Sequence, residues 1–229
     1  MTARRCLAAA FLGLAVVTGC SRPVHDAQGA LDADAAGTIR FTTAGSILRV
    51  SASRFALSEQ AATIAGDLRV PAGAGPFPLV VLLHGCGGLS NAEHGWVTPL
   101  GRAGYATFTV DSFRGRGLRE VCTNSQPLLS VQRVPDAYGA LRVLAGHPRI
   151  DTRRVALMGF SHGGGATLAS ATQWAKDTYP ELRRVSAPLR IHVGEADDWT
   201  PASRCRERVE ALRRAGFDAD ITVYPGAHH

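Results

Sequence analysis

The chain has 229 residues, 45% of them hydrophobic and 19% charged. That length suits one catalytic-sized domain with at most a short appendage, and the composition excludes a disordered chain, a collagen-like repeat and a coiled coil. The formal net charge of +6 rests on 24 arginines and one lysine, Lys176, in runs no longer than two, so no clustered basic face for nucleic acid is expected.

Residues 1–19 place Arg4 and Arg5 before an apolar stretch from Leu7 to Val17. This is the plan of an export signal, and the apolar run is too short to span a bilayer comfortably. Its end, Val17-Thr18-Gly19-Cys20, resembles the lipobox of bacterial lipoproteins. That resemblance implies acylation of Cys20, attachment to a membrane without a transmembrane helix, and, with Ser21 next, sorting to the periplasmic side of the outer membrane. Loss of residues 1–19 removes two arginines and no acid, which lowers the net charge from +6 to +4. Residues 20–45 are small, polar and aperiodic and read as a flexible tether, leaving 46–229 as the folded domain.

Ile47 to Val50 and Ala62 to Val70 read as an early antiparallel pair, followed by the turn-rich Pro71 to Pro76. Leu79 to Leu83 is a continuous apolar run, as expected of a strand buried on both faces. Ala106 to Val110, Val155 to Met158, Leu189 to Val193 and Ile221 to Tyr224 repeat that signal. Helices are expected over Glu93 to Ala103, Val134 to Ala145, Gly164 to Lys176 and Ser203 to Ala215. Strands alternating with helices of this length give an α/β fold with a mostly parallel sheet, whose working residues lie at the carboxyl ends of the strands.

The most informative segment is Gly159-Phe160-Ser161-His162-Gly163, between the strand at 155–158 and a helix. A Gly-x-Ser-x-Gly turn in that setting lifts a serine hydroxyl above the sheet, because side chains at the glycine positions would clash with the neighbouring elements. A serine nucleophile needs a base, an acid to orient it and donors for the oxyanion. His84-Gly85-Cys86-Gly87-Gly88 follows the strand at 79–83 and offers the N–H of Cys86 or Gly87 to act with that of His162. The strand at 189–193 leads to three carboxylates, Glu195, Asp197 and Asp198, and the segment at 221–224 leads to His228 and His229. The order serine, acid, histidine is that of an α/β-hydrolase. His25, His147 and His192 read as structural.

Taken together, PFPLVVLLHGCGGL, GYATFTVDSFRGRG, VALMGFSHGG, GEADDWTPA and YPGAHH resemble the dienelactone hydrolase family of α/β-hydrolases from about Ala62 to His229. The resemblance selects Asp197 as the acid and His229 as the base, and implies hydrolysis of an ester. It departs in having Ser161 where archetypal members carry cysteine, which favours ordinary carboxylic esters over dienelactone. Only 32 residues separate Ser161 from Gly194, so one strand of the family fold is expected to be missing there. The strand before Asp197 is then expected to pair directly with the one leading to Ser161. Family members also continue into a closing helix that this sequence does not include.

Arg114 and Arg116, after the strand at 106–110, and Trp199, beside the acid, are candidate substrate contacts. Five cysteines are too few for a disulfide scaffold. Beyond the leader, Cys122 and Cys205 both fall near the active face and are expected to bridge, with Cys86 left free. The spacing suits no metal site, and no cofactor is implied. The expectation is a monomeric, lipid-anchored serine esterase, against two alternatives: a peptidase or amidase on the same fold, and a non-catalytic envelope lipoprotein.

Overall fold

The computed structural model describes residues 24–26, 31–43, 47–51, 54–57, 61–171 and 187–229. The export signal, Cys20 and the end of the helix expected to reach Lys176 lie outside the described residues. Strands β1 (Val24–Asp26), β2 (Gly37–Thr42), β5 (Thr63–Arg69), β6 (Phe77–Leu83), β7 (Ala106–Asp111) and β8 (Ile150–Gly159) form one sheet in the order β1-β2-β5-β7-β6-β8. β6 runs parallel to both β7 and β8, whereas β5 is antiparallel to its neighbours β2 and β7. β3 (Ile47–Ser51) and β4 (Arg54–Leu57) pair as an antiparallel hairpin. Helices α1 (Asn91–Arg102), α2 (Val134–Leu144), α3 (His162–Ser170) and α4 (Ala202–Arg214) complete an α/β fold, with β9 (Leu189–Gly194) and β10 (Ala219–Tyr224) as a parallel pair.

The central strands follow the apolar runs closely. Every residue of β7 is buried, as are the last five of β6, and each such Leu or Val contributes roughly 1.5–3 kcal/mol by leaving water. Phe108 and Val110 of β7 join Val81 and Leu83 of β6 and Ile39 and Phe41 of β2 in one core with Ala137, Ala140 and Leu144 of α2. α1 begins two residues before its apolar signal because Ser90 and Glu93 form a capping box. The buried Glu93 carboxylate accepts from both the N–H and the hydroxyl of Ser90, which satisfies donors that a helix start otherwise leaves open.

Two pairings differ from the sequence reading. The antiparallel partner of β5 is β2, inside the expected tether, while 47–51 pairs with 54–57. The alternation Ile39-Arg40-Phe41 is short, but it buries one face of β2 on the core. The expected pairing of the strand before Asp197 with the one leading to Ser161 does not form either. β9 takes β10 as its partner from Leu189↔Ala219 to Gly194↔Tyr224, and β8 pairs with β6. Contact between the two sheets runs through side chains: Leu168 and Ala171 near the end of α3 pack on Leu189, Val209, Leu212 and Ala219. β6, β8, β9 and β10 nevertheless all end on the same side of the molecule.

Candidate active site

β8 hands the chain to α3 through Gly159-Phe160-Ser161. Ser161 has φ 49° and ψ −113°, a conformation no other non-glycine residue shares in sign of φ among the described residues. Such backbone strain costs about 1–3 kcal/mol and persists only where its surroundings enforce it. Here the Phe160 N–H donates to Leu83 O at 3.1 Å and the Gly163 N–H to Phe160 O at 2.7 Å, which pins the turn against the end of β6. A Cβ on Gly163 would overlap the carbonyl oxygens of Leu83 and His84, and one on Gly159 would overlap Gly163 O. The two glycines therefore permit the close passage that leaves the Ser161 side chain exposed to solvent.

The other two groups arrive from β9 and β10. Asp197 Oδ1 accepts the backbone N–H groups of Trp199 at 2.9 Å and Thr200 at 2.7 Å. Its Oδ2 lies 2.8 Å from His229 Nδ1, and His229 Nε2 lies 2.8 Å from Ser161 Oγ. With Nδ1–H donating to the carboxylate, Nε2 is left to accept the serine proton. Burial pushes the Asp197 carboxyl up, but the N–H groups of Thr200 and Trp199 and the His229 ring outweigh it and hold the pKa below the usual carboxylate range. Of the three candidate carboxylates only Asp197 reaches a histidine. Glu195 instead accepts from the Gly226 N–H, and together with Ala196 N–H to Ala227 O this stitches the acid loop to the histidine loop. Asp198 and His228 face solvent. The exposed Trp199 indole stacks on the His229 ring, with centroids 5.3 Å apart and planes 18° apart.

On the other side of Ser161, His162 opens α3, so its N–H has no acceptor within the helix. The turn His84 to Gly88 lies opposite, and the space where a Gly87 side chain would stand is open. The cysteine pairing corrects the sequence reading: Cys86 bonds to Cys122, and Cys205 is free. The Val121 N–H donates to Cys86 O at 2.8 Å and lays the 118–122 segment along the turn, bringing Cys122 to Cys86, whereas Cys205 sits on α4. Burial and the Asp197 charge push the Cys205 thiol up, which disfavours its reactive form. A native disulfide contributes about 2–4 kcal/mol. The double change Cys86→Ser, Cys122→Ser is therefore expected to lower the melting temperature by roughly 4–16 °C, taking about 2–4 °C per kcal/mol at this size. Thermal unfolding with Cys205→Ser as the shared background measures it, and an unchanged melting point would remove the staple from the account.

The arginines divide. Arg116 donates to Ser112 O and grips the fully buried Asp136 with both terminal nitrogens, at 3.0 and 2.7 Å. Its cation is paired with α2 and does not stand free for an acidic substrate as the expectation had it. Arg114 is exposed, 3.5 Å from Asp111. Sequence reasoning missed Arg133, which is completely buried behind the His84–Gly88 turn. An arginine before a helix carries no local sign of burial. His147, read as structural, is buried on Ala35 O, and His192 meets the Tyr224 hydroxyl.

A strained serine at a strand-to-helix elbow, a carboxylate after one strand and a histidine after the next are arranged as in the α/β-hydrolase fold. A family model described as the dienelactone hydrolase family matches residues 64–229, and the chain belongs to that family. A Methylorubrum extorquens protein assigned as a carboxymethylenebutenolidase is 26% identical over 70% of the chain, which spans 65% of that relative's length. Among solved structures, the dienelactone hydrolase-like promiscuous phosphotriesterase P91 from metagenomic libraries superposes with a TM-score of 0.61 at 18% identity, covering 84% of each chain. A butyrate-bound thermophilic esterase of Thermogutta terrifontis superposes at 0.54 and 16% identity, covering 81% of this chain and 84% of that one.

Proposed function

We propose that the protein is a serine hydrolase of carboxylic esters working through an acyl-enzyme, held at the periplasmic face of the outer membrane by lipid on Cys20. The observation that carries the chemistry is the unbroken chain from Ser161 through His229 to Asp197, with 2.8 Å at each joint. As Ser161 Oγ bonds to the acyl carbon, its proton passes to His229 Nε2 and the carbonyl π electrons move onto oxygen. That oxyanion is met by the N–H groups of His162 and of Cys86 or Gly87. Collapse breaks the bond to the alcohol oxygen, which takes the proton from His229. Water then repeats the sequence on the acyl-enzyme and releases the acid. Asp197 holds the ring in the accepting tautomer and offsets the imidazolium charge, while Trp199 covers one face of the ring.

The test combines two readouts. Wild-type protein is expected to be labelled by a fluorophosphonate probe and to hydrolyse p-nitrophenyl butyrate. Ser161→Ala is expected to do neither, and Cys20→Ser is expected to move activity from the membrane to the soluble fraction without loss of turnover. Folded wild type that resists the probe would sink the serine-hydrolase reading; membrane retention of the Cys20 variant would sink the anchor alone.

A further inference from the structure

Arg133 is the largest of the side chains almost wholly removed from solvent, and no carboxylate lies within ion-pair distance of it among the described residues. Asp136, the carboxylate that acts most strongly on its charge, is already gripped by Arg116. Burying a guanidinium without a carboxylate is costly, and neutralising it is no escape. Burial lowers its pKa only to about 10, so it remains a cation at neutral pH.

Its contacts lie on both halves of the oxyanion site. Nη1 donates to His84 O at 2.7 Å, the first residue of the turn that carries Cys86 and Gly87. The same nitrogen lies 3.1 Å from His162 Nδ1, on the residue whose N–H follows the nucleophile. Nε donates to Ser112 Oγ at 3.1 Å, and the Phe113 ring lies against the guanidinium at 5.3 Å. Both neighbouring imidazoles are neutral: burial, followed by the Arg133 charge, pushes His162 and His84 down to about 4. A neutral His162 accepts from Arg133 at Nδ1 and therefore carries its proton on Nε2, while His84 Nδ1 donates to Gly85 O and its Nε2 accepts the Ser112 N–H. One cation thus holds the His162 ring and the His84 carbonyl, while the Ser112 hydroxyl it also engages belongs to the residue whose N–H holds the His84 ring. Among the described residues Nη2 is buried without a hydrogen-bond partner, and the carboxylates of Asp136, Glu93 and Asp111 favour the cation from beyond ion-pair distance.

We infer that Arg133 is a positioning residue for transition-state stabilisation: it clamps the two strand ends that supply the oxyanion donors and sets a buried positive charge behind them. This rests on the serine-hydrolase reading. As negative charge develops on the carbonyl oxygen, a fixed cation in a water-poor surrounding favours that state over the neutral ester. The ground-state ester gains little, so the effect falls on kcat rather than KM.

The test uses Arg133→Met and Arg133→Lys in the full chain. Arg133→Met is expected to lower kcat by about 10²–10³-fold, the scale of losing one oxyanion donor, with KM nearly unchanged. Affinity for a short-chain trifluoromethyl ketone, which forms an anionic tetrahedral adduct on serine, should weaken by the same factor. Arg133→Lys, which keeps the charge but loses the fork, should recover part of both. If Arg133→Met does not fold, His162→Leu removes one end of the clamp and is expected to lower kcat and ketone affinity together by about tenfold. A merely structural arginine would alter the melting temperature while leaving the ratio of ketone to substrate affinity untouched, and that result would overturn the inference. Failure of wild type to bind the ketone or hydrolyse the ester would instead count against the serine-hydrolase reading.

Discussion

Asp197→Asn is expected to lower kcat for p-nitrophenyl butyrate by about 10⁴-fold with little change in stability, as replacing the equivalent acid does in serine proteases. The direction follows from the hydrogen bonds around the side chain. Trp199 and Thr200 both present N–H groups to Oδ1, so an asparagine must turn its carbonyl oxygen toward them and its NH2 toward His229. The ring then accepts at Nδ1 and carries its proton on Nε2, facing Ser161 Oγ. In that tautomer it cannot take the serine proton. Steady-state kinetics and the rate of fluorophosphonate labelling should fall together, and a loss below tenfold would show that Asp197 does not set the tautomer.

Gly163→Ala is the second large effect, and it acts through packing. The added Cβ would overlap the carbonyl oxygens of Leu83 and His84, which are backbone atoms of the central strand and its following turn. No side chain can swing aside to relieve the clash. Overpacking of this kind costs about 1–3 kcal/mol and occasionally more, and a displacement of the elbow by about 1 Å costs on the order of 10²-fold in rate. The expected outcome is a melting temperature lowered by roughly 2–12 °C, at about 2–4 °C per kcal/mol, together with nearly complete loss of activity. Gly87→Ala is the control, because a Cβ there meets nothing within 4 Å, and its stability should be close to wild type. Equal melting points for the two variants would contradict the packing at the elbow.

The residues that sequence placed well share a local cause. Apolar runs mark β6, β7, β9 and the end of β8 because each strand's burial is written in its own side chains. The glycines at 159 and 163 mark the elbow because the clash they avoid lies within a few residues of the turn or on the adjoining strand. Where the cause is distant, the sequence was silent or misleading. β8 begins at Ile150, before its apolar run, because Ile150 and Asp151 pair with Phe77 and Pro78 of β6. β2 carries only Ile39 and Phe41 as a signal, and its partner β5 is some twenty-five residues away along the chain. Cys86 meets Cys122 because a loop happens to lie along a turn, Arg116 is consumed by a carboxylate on α2, and Arg133 is buried by elements on both sides. Spacing alone does not encode any of these encounters.

The separation of the β9–β10 pair from the six-stranded sheet has a consequence for how the molecule opens. Ser161 and the His84–Gly88 turn belong to the β6–β8 side, whereas Asp197 and His229 belong to β9 and β10 and are stitched to each other by Ala196, Glu195, Gly226 and Ala227. No backbone ladder joins β8 to β9 among the described residues. Sub-global opening at that seam, which breaks side-chain packing and few backbone bonds, is the kind of fluctuation that costs less than full unfolding. It would carry acid and base away as one body and leave an inert hydroxyl on an intact elbow, so reactivity at Ser161 reports whether the seam is closed while amide exchange in β6 and β7 reports the sheet behind it.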